Sequence, residues 1–216
     1  MRVAGIPWVL YGLYRIGDAI TQRLSDASAE RCARALAHAF YRLDGQGRAN
    51  IRDNIRHVLG PEASAQRVEK VVRGVYLNML RNYLDLFRFP RLTPAALRAR
   101  VEIHGLDEAL AALEAGKGLI GGSGVLADVF GAPARLPDGA VRLAPRTGAP
   151  LVLGFCRRKD RAPGHYIIRL QRVALPNGRR GQEAIREGLA HIIPYIEEAI
   201  AQSPEQWVMS VPLWKQ

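Results

Sequence analysis

The sequence predicts an α/β fold, with a helical N-terminal region followed by a mixed sheet flanked by helices. Up to about residue 100, apolar residues recur at steps of three and four, which is the helical spacing. From residue 101 onward, short alternating or apolar runs interleave with helical stretches, and this order is typical of α/β proteins. We therefore expect a helical region at 1–100 and an α/β core at 101–216.

Glycines and prolines divide the N-terminal region into helices. The spacing predicts one helix over 29–43, ended by the Gly45-Gln46-Gly47 run, and a second over 48–58. A third helix over 65–87 carries a wide apolar stripe that we expect to form core. The stripe comprises Val68, Val71, Val72, Val75, Tyr76, Met79, Leu80, Tyr83, Leu84 and Phe87. Thr93 and Pro94 then predict the start of another helix.

The C-terminal part alternates between strand and helix patterns. We predict strands at 101–104, 117–120, 125–130, 151–156 and 166–173, with the fourth of these fully buried. Helices are expected after Asp107, over 139–146 and over 182–202, the last kinked by Pro194. The run Ser203-Pro204-Glu205-Gln206 fits a capping box.

Charge is concentrated in the N-terminal region. The net charge is +11, and residues 1–100 carry 17 Lys and Arg against 8 Asp and Glu. This imbalance favours an anionic partner, which can be a membrane surface, a nucleic acid or a phosphorylated ligand. A general arginine bias is the alternative, since 27 of the 31 cations are Arg. Cys32 and Cys156 have no metal spacing, and we expect two buried, reduced thiols.

The N-terminal segment has the composition of a membrane-surface helix. Residues 6–14 are apolar or aromatic and end at Arg15, with Trp8, Tyr11 and Tyr14 among them. The run is shorter than the roughly 18 to 20 apolar residues that span a bilayer, and no small-residue cleavage site follows it. We predict an interfacial helix that uses Trp8, Tyr11, Tyr14 and Arg15, since Trp and Tyr beside Arg suit the headgroup boundary. An ordinary core helix with Trp8 buried is the alternative.

Four blocks of sequence carry a resemblance to a known family. They are residues 48–55 with the following long helix and Arg88-Phe89-Pro90; residues 101–118, which end in Gly-Lys-Gly; residues 130–139 with 143–150; and residues 203–207. In this order they resemble the lysophospholipid acyltransferase superfamily, specifically its lipid A late-acyltransferase branch, which includes mannoside acyltransferases. The resemblance implies a glycerolipid acyltransferase-like fold that is shortened in the middle.

The resemblance also implies a chemistry and a location. Such enzymes transfer a fatty acyl group from acyl carrier protein or acyl-CoA to a hydroxyl of a membrane glycolipid, at the cytoplasmic face of the bacterial inner membrane. A His acts as general base and an Asp five positions later orients it, without metal or cofactor. By position in the family blocks, Phe130, Gly131, Arg135 and Arg146 are the expected substrate-binding residues.

The catalytic His-x4-Asp motif is absent from this sequence. It should follow the strand at 117–120, where the chain instead reads Gly121-Gly122-Ser123-Gly124. Among the five histidines, only His57 has a carboxylate five residues later, at Glu62, and the helical pattern places His57 at a helix end. We therefore assign no catalytic residue and predict little or no transferase activity.

The glycine-rich run at 121–124 predicts an internal deletion. Such a run is a flexible spacer without side-chain demands, and the family carries several dozen residues at this point. Either the chain is an engineered or natural form with an internal deletion, or residues 122–124 are native and the loss lies just before them; a native short glycine turn is the third alternative. Ser123 is rejected as a nucleophile, because Val125 stands where the elbow motif needs glycine.

Two other functions compete with membrane acyl transfer. A non-catalytic membrane-surface scaffold is one, and a basic nucleic-acid-binding protein is the other. Nucleic-acid binding is not expected, because no reading motif is present and the aromatics lie in apolar stripes rather than between cations. The charged run 157–161 is interpreted as a solvated turn, or as a contact for a lipid headgroup or thioester carrier.

Overall fold

A computed structural model describes residues 6–21, 23–114, 124–159, 164–175 and 182–214. Its helices are α1 Ile6–Thr21, α2 Asp26–Leu43, α3 Gly45–Leu59, α4 Ala65–Arg88, α5 Pro94–Arg98, α6 Leu106–Glu114, α7 Gly139–Thr147 and α8 Gln182–Gln202. Its strands are β1 Val101–His104, β2 Gly124–Val129, β3 Ala132–Pro137, β4 Leu151–Arg158 and β5 Tyr166–Val173. The strand predicted at 117–120 and most of the run at 121–124 lie outside the described residues.

The predicted α/β fold with a helical N-terminal region is confirmed. Strands β1, β5 and β4 form a mixed sheet in that order, with β1 parallel and β4 antiparallel to β5. Strands β2 and β3 form a separate antiparallel hairpin. The division of the chain at residue 100 stays a prediction.

The boundary between α2 and α3 corrects one prediction. The glycine run was expected to separate two helices, but α3 already begins at Gly45. The separation falls at Asp44, whose side chain caps α3 by accepting the backbone N–H of Gly47 at 2.8 Å. A Cβ at Gly47 would overlap that carboxylate, so the cap needs glycine there. Asp44 also accepts the hydroxyl proton of Tyr76 at 2.9 Å, which fixes α3 against α4.

The apolar stripe of α4 forms the core of the helical region, with one exception. Its buried residues pack with Ala33, Ala37, Ile51 and Ile55 of α2 and α3. The buried residues of the stripe are Val68, Val72, Val75, Tyr76 and Leu80. Tyr83 was expected in this core but is 54% exposed.

The sheet and its cysteine also correct the sequence interpretation. β4 was expected to be fully buried, but Arg158 is its one buried residue, while Gly154 and Cys156 are exposed. Cys156 lines an open cavity of about 240 Å³ between β4, β5 and α8, so this face of the sheet is not filled. The expectation of two buried thiols is therefore wrong, since Cys32 is only half-buried.

A second core lies between the hairpin, α7 and α8. It contains Val129 and Ala134 of the hairpin, Val141 of α7 and four apolar residues of α8. Helix α8 has both of the predicted ends and includes Pro194. Proline has no backbone N–H, so the carbonyl of Ala190 lacks its usual helical partner.

The C-terminal segment, residues 207–214, joins the two cores. Asn54 of α3 donates to the carbonyls of Met209 and Val211, at 3.0 and 2.8 Å, and accepts the N–H of Leu213 at 3.2 Å. Trp207 packs on the helical core and Trp214 on the hairpin core, and the two rings meet edge to face. Side-chain amides at Asn50 and Asn54 are therefore the sequence feature that holds this segment, since Asn50 donates to the carbonyl of Ser210.

The residues before this segment correct the capping-box prediction. Pro204–Gln206 forms one turn of 3₁₀ helix, and the Ser203 side chain makes no capping bond. Gln206 instead bonds the backbone of Arg158 in both directions, at 2.6 and 3.1 Å. The turn thus fixes the end of β4, and it packs on α4 through Glu205, whose carbonyl accepts from Asn78.

A buried polar cluster joins α4 to the sheet. The Arg158 guanidinium donates to Asp85 at 2.6 Å and to Asn82 at 3.1 Å, and Tyr166 of β5 donates to Asp85. The interpretation of 157–161 as a solvated turn is wrong here, because the Arg158 side chain is 8% exposed. Burial and the hydrogen bond to Asp85 raise the pKa of Tyr166, so its hydroxyl remains a donor throughout the ordinary pH range.

Candidate functional site

The turn between β2 and β3 carries the two best-placed substrate candidates. Phe130 and Gly131 both have positive φ, 51° and 73°, as in a two-residue type I′ hairpin turn. Positive φ is unusual for phenylalanine and costs roughly 1–2 kcal/mol. The N–H of Phe130 donates to Glu197 of α8 at 2.5 Å, so a carboxylate from a distant helix supports the strained residue.

A cavity of about 560 Å³ opens beside this turn, between the hairpin and α8. Gly131 lines it together with Asp128, Arg186 and Glu197, and the apolar walls include Ile193. Ala190 and Pro194 also line it. Two carboxylates and a guanidinium can together bind a ligand that carries hydroxyl groups.

The other two substrate candidates lie elsewhere. Arg135 is exposed on β3, paired with Leu126 across the hairpin, and Arg146 is exposed in the last turn of α7. Neither lines the cavity. Of the four candidates, Gly131 therefore lines the cavity, Phe130 stands next to it in the turn with its side chain packed on the second core, and the two arginines lie elsewhere.

Asp138 is a buried charge that the sequence interpretation did not single out. Its side chain is 0% exposed and accepts from Arg142, one turn later, at 2.5 Å. It stands between the end of β3 and the start of α7. An Asp followed four residues later by an Arg was the signal that could have shown this pair.

Histidines and carboxylates meet at one exposed place. On β1, the Nε2 of His104 lies 2.8 Å from a carboxylate oxygen of Glu102, and Lys159 contacts the other oxygen at 3.1 Å. Hydrogen bonds, first from Lys159 and then from His104, lower the pKa of Glu102.

The predicted position of His57 at a helix end is confirmed, since it lies in the last turn of α3 and stacks on Trp214. Within the described ranges, no three His, Cys, Asp or Glu residues are grouped as metal ligands would be.

Helix α1 contains the predicted membrane-surface residues. Tyr11 is 53% exposed and its hydroxyl accepts from Arg15 at 3.3 Å, so two of the four lie on an open surface. The side chains of Trp8 and Tyr14 lie outside the described residues. None of the described helices has the length and apolar character to span a membrane.

Replacing Gly131 with Ala is expected to lower the free energy of unfolding by about 1–2 kcal/mol, since alanine is strained at positive φ. The site has free space for a Cβ, so the cost comes from the backbone alone. Urea unfolding measures it. Gly45→Ala is the control, because a Cβ there also meets nothing but φ is not positive. Gly131→Asn should cost less than Gly131→Ala, and an Ala variant as stable as the parent contradicts the prediction.

Comparison with known proteins gives one result that bears on identity. A model of the bacterial lipid A biosynthesis acyltransferase family matches the chain in two segments, residues 6–121 and 119–216. A search of curated proteins finds no match. The two matched segments together cover nearly the whole chain, and they include all four blocks on which the resemblance was based. The chain belongs to the bacterial lipid A biosynthesis acyltransferase family.

Proposed function

We propose that this chain is a member of the family that lies on a membrane surface and transfers no acyl group. The observation that most directly supports this proposal is the position of the two segments that match the family. They meet at residues 119–121, at the end of the strand predicted at 117–120, after which the family's His-x4-Asp motif should follow, and the sequence there has glycines and no histidine.

The chemistry of O-acylation explains why this position matters. The acceptor hydroxyl is a weak nucleophile until a base takes its proton, and a positioned base contributes roughly 100- to 10,000-fold to the rate. A chain without that base retains binding surfaces but loses the proton acceptor. The cavity beside Phe130 and Gly131 is then a glycolipid-binding cleft without a reacting centre.

A second candidate is an active transferase that uses His104 as base. Its support is the contact between His104 and Glu102, which has the geometry of a base with its orienting carboxylate. Both side chains are about half exposed, and neither lines the cavity beside the hairpin or the one beside Cys156. The geometry therefore favours an ion pair with Lys159 over a catalytic pair.

A thioester-release assay separates the two candidates. Purified protein is mixed with acyl carrier protein or acyl-CoA donors and a glycolipid acceptor, and a family member with intact His-x4-Asp is the positive control. We expect no release above the protein-free rate. Turnover that His104→Ala abolishes, while His191→Ala on the exposed side of α8 does not, would establish the second candidate. Turnover that neither substitution changes would overturn both.

The proposed location is the cytoplasmic face of the bacterial inner membrane, with α1 at the headgroup boundary. The family is membrane-associated, and the support from this chain is the exposed Tyr11–Arg15 pair and the basic N-terminal region. Co-sedimentation with anionic vesicles should be weakened by Trp8→Ser with Tyr11→Ser. A shift of oligonucleotides at moderate salt without vesicle binding contradicts this location and favours nucleic-acid binding.

The proposed cause of the missing motif is an internal deletion near 121–124. The meeting of the two matched segments beside Gly121-Gly122-Ser123-Gly124 supports it. Sequencing the encoding gene tests it: an open reading frame with additional codons at this point establishes the deletion, and a frame that matches the present chain throughout leaves a natural short form.

A further inference from the structure

A cationic pocket lies between α2 and α4, far along the chain from the hairpin. Its volume is about 210 Å³, and it is lined by Arg34, Ala37, His38, Tyr41, Arg73 and Leu77. Two guanidinium groups and an imidazole thus face one space with an apolar floor. None of these residues belongs to the cavity at the hairpin.

The arrangement around Tyr41 fixes the cations in place. The guanidinium carbons of Arg73 and Arg48 lie 4.5 and 5.1 Å from the centre of the Tyr41 ring. The Tyr41 hydroxyl donates to Glu69, so the ring itself is held. Among the described residues, none accepts a hydrogen bond from Arg73, and its N–H groups stay available while its face rests on the ring.

Nearby carboxylates neutralise the pocket only in part. Glu30 is bonded by Arg81 at 2.5 Å and Arg34 at 2.7 Å, and Glu69 is bonded by Arg52 at 2.9 Å. Burial alone would raise the pKa of both carboxyl groups, but hydrogen bonds and nearby arginines lower it overall. Arg34 of the pocket is thus paired with Glu30, whereas Glu69 is bonded by Arg52 and Tyr41, so that Arg73 is the pocket arginine that, among the described residues, makes no direct bond to either carboxylate.

We propose that this pocket binds a phosphate monoester group. Arginine N–H groups match the oxygens of phosphate in geometry and charge, and an imidazole N–H at His38 adds a donor in either of its protonation states. The group can come from free phosphate or from a phosphorylated lipid headgroup, since both present the same oxygens. This site is separate from the proposed function, because it requires neither acyl transfer nor the α1 surface.

The experiment compares two double variants of equal charge. The pocket variant is Arg34→Gln with Arg73→Gln, and the control is Arg56→Gln with Arg67→Gln, two exposed arginines that do not line the pocket. Titration calorimetry measures inorganic phosphate, and co-sedimentation measures phosphatidylcholine vesicles with and without phosphatidic acid. The single variant Arg73→Gln keeps the Glu30–Arg34 ion pair, so it tests the pocket even if the double variant misfolds. Circular dichroism shows whether each variant is folded.

The pocket variant should bind phosphate or phosphatidic acid vesicles about 10- to 100-fold more weakly, with the control close to the parent protein. Loss confined to inorganic phosphate assigns a soluble phosphate, and loss that includes vesicles assigns a lipid headgroup. Equal weakening by pocket and control variants overturns the proposal, because the binding would then follow net charge. If the parent protein binds neither inorganic phosphate nor phosphatidic acid vesicles, the proposal is overturned as well.

Discussion

Replacing Arg158 with Met is expected to lower the free energy of unfolding by about 3–5 kcal/mol. The side chains of Arg158 and Asp85 are 8% and 13% exposed, so water cannot replace the ion pair that is lost. Methionine fills the space of the arginine stem but leaves the Asp85 carboxylate with the Tyr166 hydroxyl as its remaining partner. Removing one member of a buried pair costs far more than the pair itself contributes.

Urea unfolding with a matched control measures this effect. Arg172→Met, at an exposed position of β5, should change the free energy of unfolding by less than about 0.5 kcal/mol. Adding Asp85→Leu to Arg158→Met should recover part of the loss, since no unpaired charge then remains buried. A cost below about 1 kcal/mol for Arg158→Met would show that the cluster is open to water.

The second large effect is expected at Asn54, where alanine should cost about 2–4 kcal/mol. Asn54 is 1% exposed and makes three hydrogen bonds with the backbone of residues 207–214. Each contributes roughly 1 kcal/mol net, and truncation removes all three at once. The loss should appear both in urea unfolding and as faster hydrogen exchange of the Leu213 amide.

Asn50→Ala is the comparison for Asn54→Ala. Asn50 lies one turn earlier on the same face of α3 and donates a single bond to this segment, to the carbonyl of Ser210 at 3.1 Å. Its cost should be about 1 kcal/mol. If the Leu213 amide exchanges at the same rate in the Asn54 variant as in the parent, the segment is held by the tryptophans rather than by the amides.

Elements with strong local periodicity could be predicted from the sequence, since their predicted and observed boundaries agree closely. β5 and α8 begin and end at the predicted residues, and α4 extends the prediction by one, to Arg88. A glycine at position 45 predicts a helix stop, whereas Asp44 as a cap makes it a helix start. Local patterns thus fix the type of the long periodic elements, but they miss the short strand β3, Ala132–Pro137.

Contacts between distant residues were not predictable from one sequence. Arg158 stands in a run of charged residues, which usually means solvent, and its burial depends on Asp85, 73 positions earlier. The same holds for the candidate site. The family resemblance indicates Phe130 and Gly131. The hydrogen bond from the Phe130 N–H to Glu197, 67 positions later in the chain, could not be predicted from any local pattern.

The return of residues 207–214 to α3 and α4 has a consequence for biosynthesis. Trp207 packs on the helical core, and all the side-chain hydrogen bonds that Asn54 makes to described residues go to this segment. During synthesis, α3 and α4 emerge from the ribosome long before residue 207 is made. The first helices therefore acquire this packing only after residues 207–214 have been made, and the Asn54 side chain is hydrated until then.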